Sequence, residues 1–385
     1  MTDGGRTEPR RLSRREFLKK TAAAGVSLSV LGGLLGRAGV VVHAASGSVA
    51  RLTWISPRGT LEVMDDYNLW VAQKMGYFEQ MGLEVVLEPG PLDALAVTRF
   101  VAAGQADVGY PSPGVLTASI DSGMPVISIW GMMMTQVFNF ALPLDSPISD
   151  PRQLRGKTIA LGSEGWQVIV DPMLVELGID PKEVRYLNAG AQWGQAVALG
   201  QADAALSWEG LRAQWNAQGL RLKYLIGSEW SKHPSNVYAA RRADLQDPAR
   251  RDALVRFLKA NVMALEFAQA NPRAAAQITY EQFPGLAQQM TPQVALESMR
   301  QLAYGYAGAK RAGKGWGYHD PDGWRTYLDT LYELGQTRRR LANEEVFTNE
   351  LVAEANSVDV SKARADAANF RLNSTWAQVT VEGEF

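Results

Sequence analysis

The sequence predicts an α/β protein of two similar lobes facing a shared cleft, completed by a helical C-terminal cover. Three observations carry this. Strand and helix patterns alternate over the first half of the chain, and helical patterns alone fill the second. One motif occurs twice, as Val101-Ala102-Ala103-Gly104-Gln105-Ala106-Asp107 and as Val197-Ala198-Leu199-Gly200-Gln201-Ala202-Asp203. In both copies an apolar helical run stops at a glycine, a polar turn follows, and a short apolar segment reads as a buried strand. Ligands of open α/β sheets sit beyond the carboxyl ends of such strands. The first copy therefore aims Ser112 and Pro113 at the cleft, and the second aims Ser207, Trp208 and Glu209.

Taken in order, residues 49–55 read as the first strand, ending in Trp54-Ile55-Ser56-Pro57-Arg58-Gly59. A polar stretch with Glu62, Asp65 and Asp66 leads to a helix over 69–75 that Gly76 stops. A turn at 77–82 precedes a strand at 83–87. A helix over 93–103 opens with an acidic residue, which suits the helix dipole. Strand 126–130 and an extended run over 137–142 close the first unit. The second begins near Pro143, with strand 158–161, the tight loop Gly162-Ser163-Glu164-Gly165, helix 166–177, strand 184–187, helix 192–199 and strand 222–226. Residues 237–240 return the chain to the first lobe. Helices over 248–269, 272–282, 292–304 and 321–334 follow, each opened by a proline that fits a first helical turn. The expected organisation is a leader at 1–44, a discontinuous first lobe of 45–142 and 236–385, and a second lobe of 143–235.

The leader carries Ser13-Arg14-Arg15-Glu16-Phe17-Leu18-Lys19, a twin-arginine pattern, ahead of a mildly apolar, glycine-rich run, with small residues around a cut before Ala45. That run is broken by Arg37 and falls short of a membrane span. The expectation is a signal peptide recognised by the twin-arginine export machinery, and a mature protein in the periplasm. Residues 1–44 hold eight of the 39 basic and three of the 40 acidic residues, so 31 and 37 remain, a net charge of −6. This argues against nucleic acid or an anionic membrane as partner. The chain has no cysteine, which excludes disulfides, cysteine-ligated zinc and thiol catalysis. One of its three histidines lies in the leader, so no histidine-rich metal site is expected, and no cofactor.

With these residues in view, the chain resembles the solute-binding proteins of ABC importers, in the branch of sulfonate, taurine, nitrate and thiamine-precursor binders. The matching stretches are Ala72-Gln73-Lys74-Met75-Gly76-Tyr77-Phe78-Glu79-Gln80-Met81-Gly82-Leu83, the two Gly-Gln-Ala-Asp turns, Leu154-Arg155-Gly156-Lys157-Thr158-Ile159 and Phe347-Thr348-Asn349-Glu350-Leu351. The resemblance implies a two-lobed periplasmic-binding-protein (Venus-flytrap) fold, type II-like, no enzymatic activity, and an inner-membrane ABC permease as partner. Thiamine-precursor binders resemble Trp-x-Pro-Asn in the first loop, with a histidine before the first helix. Here Trp54 and Pro57 match in residue type within a longer loop, Arg58 stands where the asparagine would be, and counting back from Leu69-Trp70-Val71-Ala72 puts Asp66 where the histidine would fall. The related fungal thiamine-pyrimidine synthases carry a cysteine-rich iron motif that this chain lacks.

The candidate ligand-binding residues are Trp54, Arg58, Asp66, Ser112, Pro113, Ser163, Glu164, Trp166, Trp208 and Glu209. Tryptophans and carboxylates outnumber basic groups in these loops. They suit a flat or cationic nitrogen compound, held by stacking, cation–π contact and charge-assisted hydrogen bonds. An oxyanion such as a sulfonate, taurine or nitrate is the alternative, held by amides at Gly165 and Trp166 or by Ser112 and Ser207. A periplasmic sensor domain, or an enzyme using Glu164 and Glu209 as an acid/base pair, are the readings from other classes. His233 and His319 are expected to be structural.

Overall fold

The computed structural model describes residues 49–91 and 96–380. The expected signal peptide at 1–44 and the acidic start of the helix at Asp93 lie outside the described residues.

The described chain forms two five-stranded mixed sheets wrapped by helices. The first sheet contains β1 (Ala50–Ile55), β2 (Leu83–Glu88), β3 (Val108–Gly109), β4 (Val126–Gly131) and β10 (Val237–Arg241), in the order β2-β1-β3-β10-β4. The second contains β5 (Phe138–Pro143), β6 (Thr158–Leu161), β7 (Arg185–Asn188), β8 (Ala204–Trp208) and β9 (Leu222–Leu225), in the order β7-β6-β8-β5-β9. Each sheet has a parallel trio, and in each the fourth strand runs antiparallel to both neighbours. Those fourth strands, β10 and β5, are the ones that arrive directly from the other sheet. This is the two-lobed periplasmic-binding-protein fold.

One expectation is corrected here. The sequence alone places the run over 137–142 in the first lobe, with the boundary after Leu142. Phe138–Pro143 instead pairs with β8 and β9 of the second sheet. The first crossing is thus over 132–137, and the second over 226–236. An extended apolar run does not show in its own residues which sheet edge it will join, because pairing partners are set by tertiary context.

The repeated motif folds the same way twice. Gly104 and Gly200 both take the left-handed conformation, at φ 73° and 71°. Asp107 Oδ2 accepts from the Thr53 amide at 2.8 Å, and the Asp107 amide donates to the Thr53 carbonyl at 2.8 Å. Asp203 exchanges the same two bonds with Thr158, at 2.8 and 2.9 Å. Each aspartate thereby pins the end of a helix–turn unit to the middle strand of its sheet's parallel trio, β1 or β6.

The long helices behave as their opening prolines predict. Pro248, Pro272, Pro292 and Pro321 each stand in the first turn of their helix. Asp247, Asn271 and Thr291 cap three of these helices through their side chains. The helices Pro248–Ala270 and Pro292–Tyr306 bury one face with Leu52 and Trp54 of the first sheet, and Pro321–Glu333 covers the other side with Trp324, Tyr327 and Leu328. The second sheet is covered on both faces, by Met173 and Leu174 on one and by Val197 and Trp215 on the other. Among the described residues no helix is long and apolar enough to cross a membrane.

Candidate functional site

A cavity of about 280 Å³ lies between the two sheets, where the parallel strands of both end. From the first sheet's side it is lined by the loop after β1 (Pro57, Arg58), by Val63 and Asp65, and by the segment after β3 (Tyr110, Pro111, Ser112). Leu302 and Tyr306 reach it from the helix Pro292–Tyr306. From the second sheet's side come Trp166, Leu206, Trp208 and Leu211, while Met133, Val137, Ser235 and Asn236 belong to the two crossings.

The repeat explains part of this lining. Tyr110 and Leu206 are each the third residue after the motif's aspartate, Ser112 and Trp208 each the fifth, and all four line the cavity. Pro113 and Glu209, each the sixth, do not. In the second copy Leu206 and Trp208 alternate with the buried Ser207 along β8, whereas in the first, beyond the end of β3, Pro111 lines the cavity as well. Glu209 is 5% exposed. Its carboxylate accepts from Asn139 Nδ2 at 2.7 Å and from Arg212 Nη2 at 2.8 Å. Asn139 Oδ1 in turn accepts from the Gly227 amide. Glu209 therefore ties the start of β5 and the end of β8 to the second crossing, and turns away from the cavity.

Of the ten candidate residues, the structure brings Arg58, Ser112, Trp166 and Trp208 to the cavity wall. Trp54 is in the core of the first sheet at 1% exposure. Pro113 is buried as the first helical residue of Pro113–Asp121, which Ser112 caps with an Oγ that accepts from the Val115 amide. Ser163 and Glu164 are exposed in the loop ahead of Trp166, outside the lining. Ser207 is fully buried and also outside it.

Trp166 and Trp208 form a braced aromatic wall. Their rings meet edge to face, with centroids 5.8 Å apart, and Trp193 stacks on Trp208 at 6.0 Å. The Trp193 indole N–H donates to the Leu206 carbonyl at 2.8 Å. Gly162 makes room for the Trp166 ring, since a Cβ there would come within 2.6 Å of it.

The charge arrangement is set by Arg58. Its guanidinium donates to Asp66, a carboxylate only 3% exposed, and lies 6.0 Å from the Tyr110 ring. Burial alone would lower the Arg58 pKa, but Asp66 and Asp65 outweigh it and hold the group firmly protonated. Asp65, the neighbouring residue, lines the cavity. Burial raises its carboxyl above the usual range, and Arg58 counters this only in part. Among the described residues no side chain hydrogen-bonds the Asp65 carboxylate; its backbone carbonyl accepts from Tyr306 Oη at 2.9 Å. Tyr110 and Tyr306 share a hydrogen bond, and burial keeps both phenols neutral. Two further atoms of lining residues, Arg58 Nε and Asn236 Oδ1, are buried without a partner.

Asp65, Tyr110, Gln214, Ser235, Asn236 and Tyr306 are the polar lining residues absent from the candidate set. The repeat offset marks Tyr110, by its match to Leu206. Asp65 could not be told from Asp66 in an irregular loop, and Asn236 and Tyr306 arrive from distant parts of the chain. Among the described residues no group of three or more His, Cys, Asp or Glu side chains is placed to hold a metal ion.

The family model described as NMT1/THI5 like matches residues 65–275, more than half of the chain and including Asp65 and the second repeat. The chain belongs to the NMT1/THI5-like family. This NMT1/THI5-like protein is 28% identical over 223 residues to a 4-amino-5-hydroxymethyl-2-methylpyrimidine phosphate synthase of Aspergillus parasiticus, an alignment covering 54% of this chain and 64% of that protein. It is 27% identical over 157 residues to a formylaminopyrimidine-binding protein of Halalkalibacterium halodurans, covering 38% and 47%. It thus spans less than two thirds of the length of these curated relatives. Among solved structures it is similar to the periplasmic sulfonate-binding protein of a sulfonate ABC transporter from Methylobacillus flagellatus. The TM-score is 0.57 at 15% identity, over 80% of this chain and 94% of that one. That likeness concerns the fold.

Proposed function

We propose that this NMT1/THI5-like protein is the solute-binding component of an ABC importer. In this reading it captures a small organic nitrogen compound, an amine or a heteroaromatic of the thiamine-precursor kind, in the cavity between its lobes. One observation carries the reading: the lining's cation, Arg58, is neutralised by Asp66, whereas Asp65 faces the same cavity with no side-chain partner. A cationic or N–H-rich ligand supplies what Asp65 lacks, and Trp166, Trp208 and Tyr110 offer it aromatic faces. An alkanesulfonate or nitrate would instead bring a second anion beside Asp65. The formylaminopyrimidine-binding relative supports a heteroaromatic ligand, and the sulfonate-binding neighbour supports only the architecture.

The synthase relative makes an enzyme the second reading. The absence of cysteine from the whole chain and the lack of histidine among the described lining residues favour capture over chemistry. The export reading places the protein in the periplasm beside an inner-membrane permease, with Arg14 and Arg15 read by the twin-arginine machinery.

The test is a thermal-shift screen of the purified protein across amines, aminopyrimidines, alkanesulfonates and nitrate. A ligand at 100 times its Kd adds about 2.7 kcal/mol of stability. Stabilisation by aminopyrimidines or amines, with the compound recovered unchanged by mass spectrometry, is the expected result. Stabilisation by sulfonates or nitrate alone would reject the ligand class, and conversion of the compound would reject the binder.

A further inference from the structure

We infer that the cavity takes a hydrophobic organic cation: one protonated nitrogen set against Asp65, on an apolar body larger than a single ring that carries neither a second charge nor a phosphate. This rests on the binding function proposed above and narrows its ligand class.

Charge is confined to one part of the wall. Among the described residues Arg58 and Asp65 are the only charged members of the lining. Arg58 is held by Asp66, so at this end one guanidinium stands against two carboxylates and negative charge is in excess. Asp65 is partly exposed, unlike the buried Asp66, and a solute in the cavity can reach it. Two hydroxyls nearby are already engaged within the protein. Ser112 Oγ accepts from the Val115 amide, and Tyr306 Oη donates to the Asp65 carbonyl. The charge left for a ligand is therefore a single carboxylate, which selects one cationic group.

Away from that end the wall is mainly apolar. Val63 follows β1, Met133 and Val137 belong to the first crossing, and Ile169, Leu211 and Leu302 come from the helices Gln167–Glu176, Leu211–Ala217 and Pro292–Tyr306. Gln214, Ser235 and Asn236 add uncharged polar groups, none of them a cation that could meet a phosphate. A second ionised group on the ligand would lose its water against these side chains and gain no partner. Size points the same way. A dry apolar cavity of roughly 150 Å³ takes up one benzene, and this cavity measures about 280 Å³. One ring would leave roughly half of the space unfilled and its lining without contacts. A body of about two rings fills it, and each methylene it buries is worth roughly fourfold in affinity.

The experiment is titration calorimetry on wild type, Asp65→Asn and Ile169→Asn, the variants first shown to keep their far-UV spectra. The probes are propylammonium, benzylammonium, 2-naphthylmethylammonium, the neutral 2-naphthylmethanol and 4-aminopyrimidine. On the wild-type protein, affinity should rise along the three amines, by about tenfold or more from benzyl to naphthylmethyl. The one-ring 4-aminopyrimidine should bind about tenfold or more weakly than the naphthyl cation. Asp65→Asn should weaken the naphthyl cation by about tenfold or more and leave the alcohol within about twofold. Ile169→Asn should weaken the naphthyl cation more than the benzyl one. A flat or falling amine series, or 4-aminopyrimidine binding as tightly as the naphthyl cation, would overturn the inference from the wild-type protein alone and leave the importer reading standing. Equal effects of Asp65→Asn on the cation and the alcohol would overturn it too. If neither the amines nor the aminopyrimidine bind the wild-type protein, both readings fall.

Discussion

Ser112 and Trp208 occupy the same place in two copies of one motif and reach the same cavity from opposite lobes. Their neighbours Pro113 and Glu209 also correspond, and both turn away from it. The motif thus delivers Tyr110, Pro111 and Ser112 to the cleft from one lobe and Leu206 and Trp208 from the other.

Glu209→Gln follows from this. Glu209 accepts from Asn139 and Arg212 while nearly fully buried, so the substitution exchanges a charged acceptor for an amide beside an unneutralised arginine. The expected outcome is a loss of about 1–3 kcal/mol of stability in urea denaturation. Any change in affinity should be equal for cationic and anionic probes. A selective loss of cationic ligands would place Glu209 in the site after all.

The repeated aspartates give a second comparison. Both pin a turn to a strand amide, but Asp107 is also ion-paired with Arg241 and Arg250, while Asp203 has Lys157 at 3.8 Å and is more exposed. Asp107→Ala should cost about 2–4 kcal/mol and Asp203→Ala about 1–2 kcal/mol by equilibrium unfolding. Equal costs would mean that the shared strand contact, and not the ion pairs, dominates.

The two described histidines make stability depend on pH. His319 is buried, its Nε2 2.7 Å from Ser128 Oγ and its Nδ1 3.0 Å from Asn349 Oδ1, and burial lowers its pKa to about 4. His233 is buried against Tyr327, and burial lowers its pKa to about 4 as well. Glu176 lies 3.3 Å from His233 Nδ1 but does not hydrogen-bond it, and its own carboxyl is raised by burial. Unfolding restores both imidazoles to about 6.5, so the unfolded chain binds more protons between about pH 4 and 6.5. Stability is therefore complete above this window and falls as pH drops through it, by up to about 3 kcal/mol for each histidine. Urea midpoints at pH 7 and pH 4.5 check this; equal midpoints would contradict it.

Most elements are legible in the sequence because their ends are marked chemically. Proline stands in the first turn of four long helices, and glycine at φ 73° and 71° ends the repeated ones. Strand Phe138–Pro143 carries no such mark of allegiance, and the sequence reading placed it in the wrong sheet. The site is legible where a motif repeats or a strand ends. Ser112 and Trp208 come from the repeat, and Arg58 and Trp166 from the ends of β1 and β6. What separates Asp65 from Asp66 is the path of a loop and the reach of Arg58, which no spacing encodes.

Closure is checked by scattering. The two crossings, over 132–137 and 226–236, are the connections about which the lobes would turn. The radius of gyration should fall when a stabilising ligand is added at saturation, and an unchanged radius would argue for a fixed cleft.

The central claim is that the cavity selects a nitrogen compound through Asp65. Titration calorimetry of the wild-type protein and Asp65→Asn with 4-aminopyrimidine and with methanesulfonate tests it most directly. Saturable binding of the aminopyrimidine, weakened by Asp65→Asn about ten- to a hundredfold, with no heat from the sulfonate, is the expected result. Tight binding of methanesulfonate by the wild-type protein, unchanged or only improved by the substitution, together with silence from the aminopyrimidine, would contradict it.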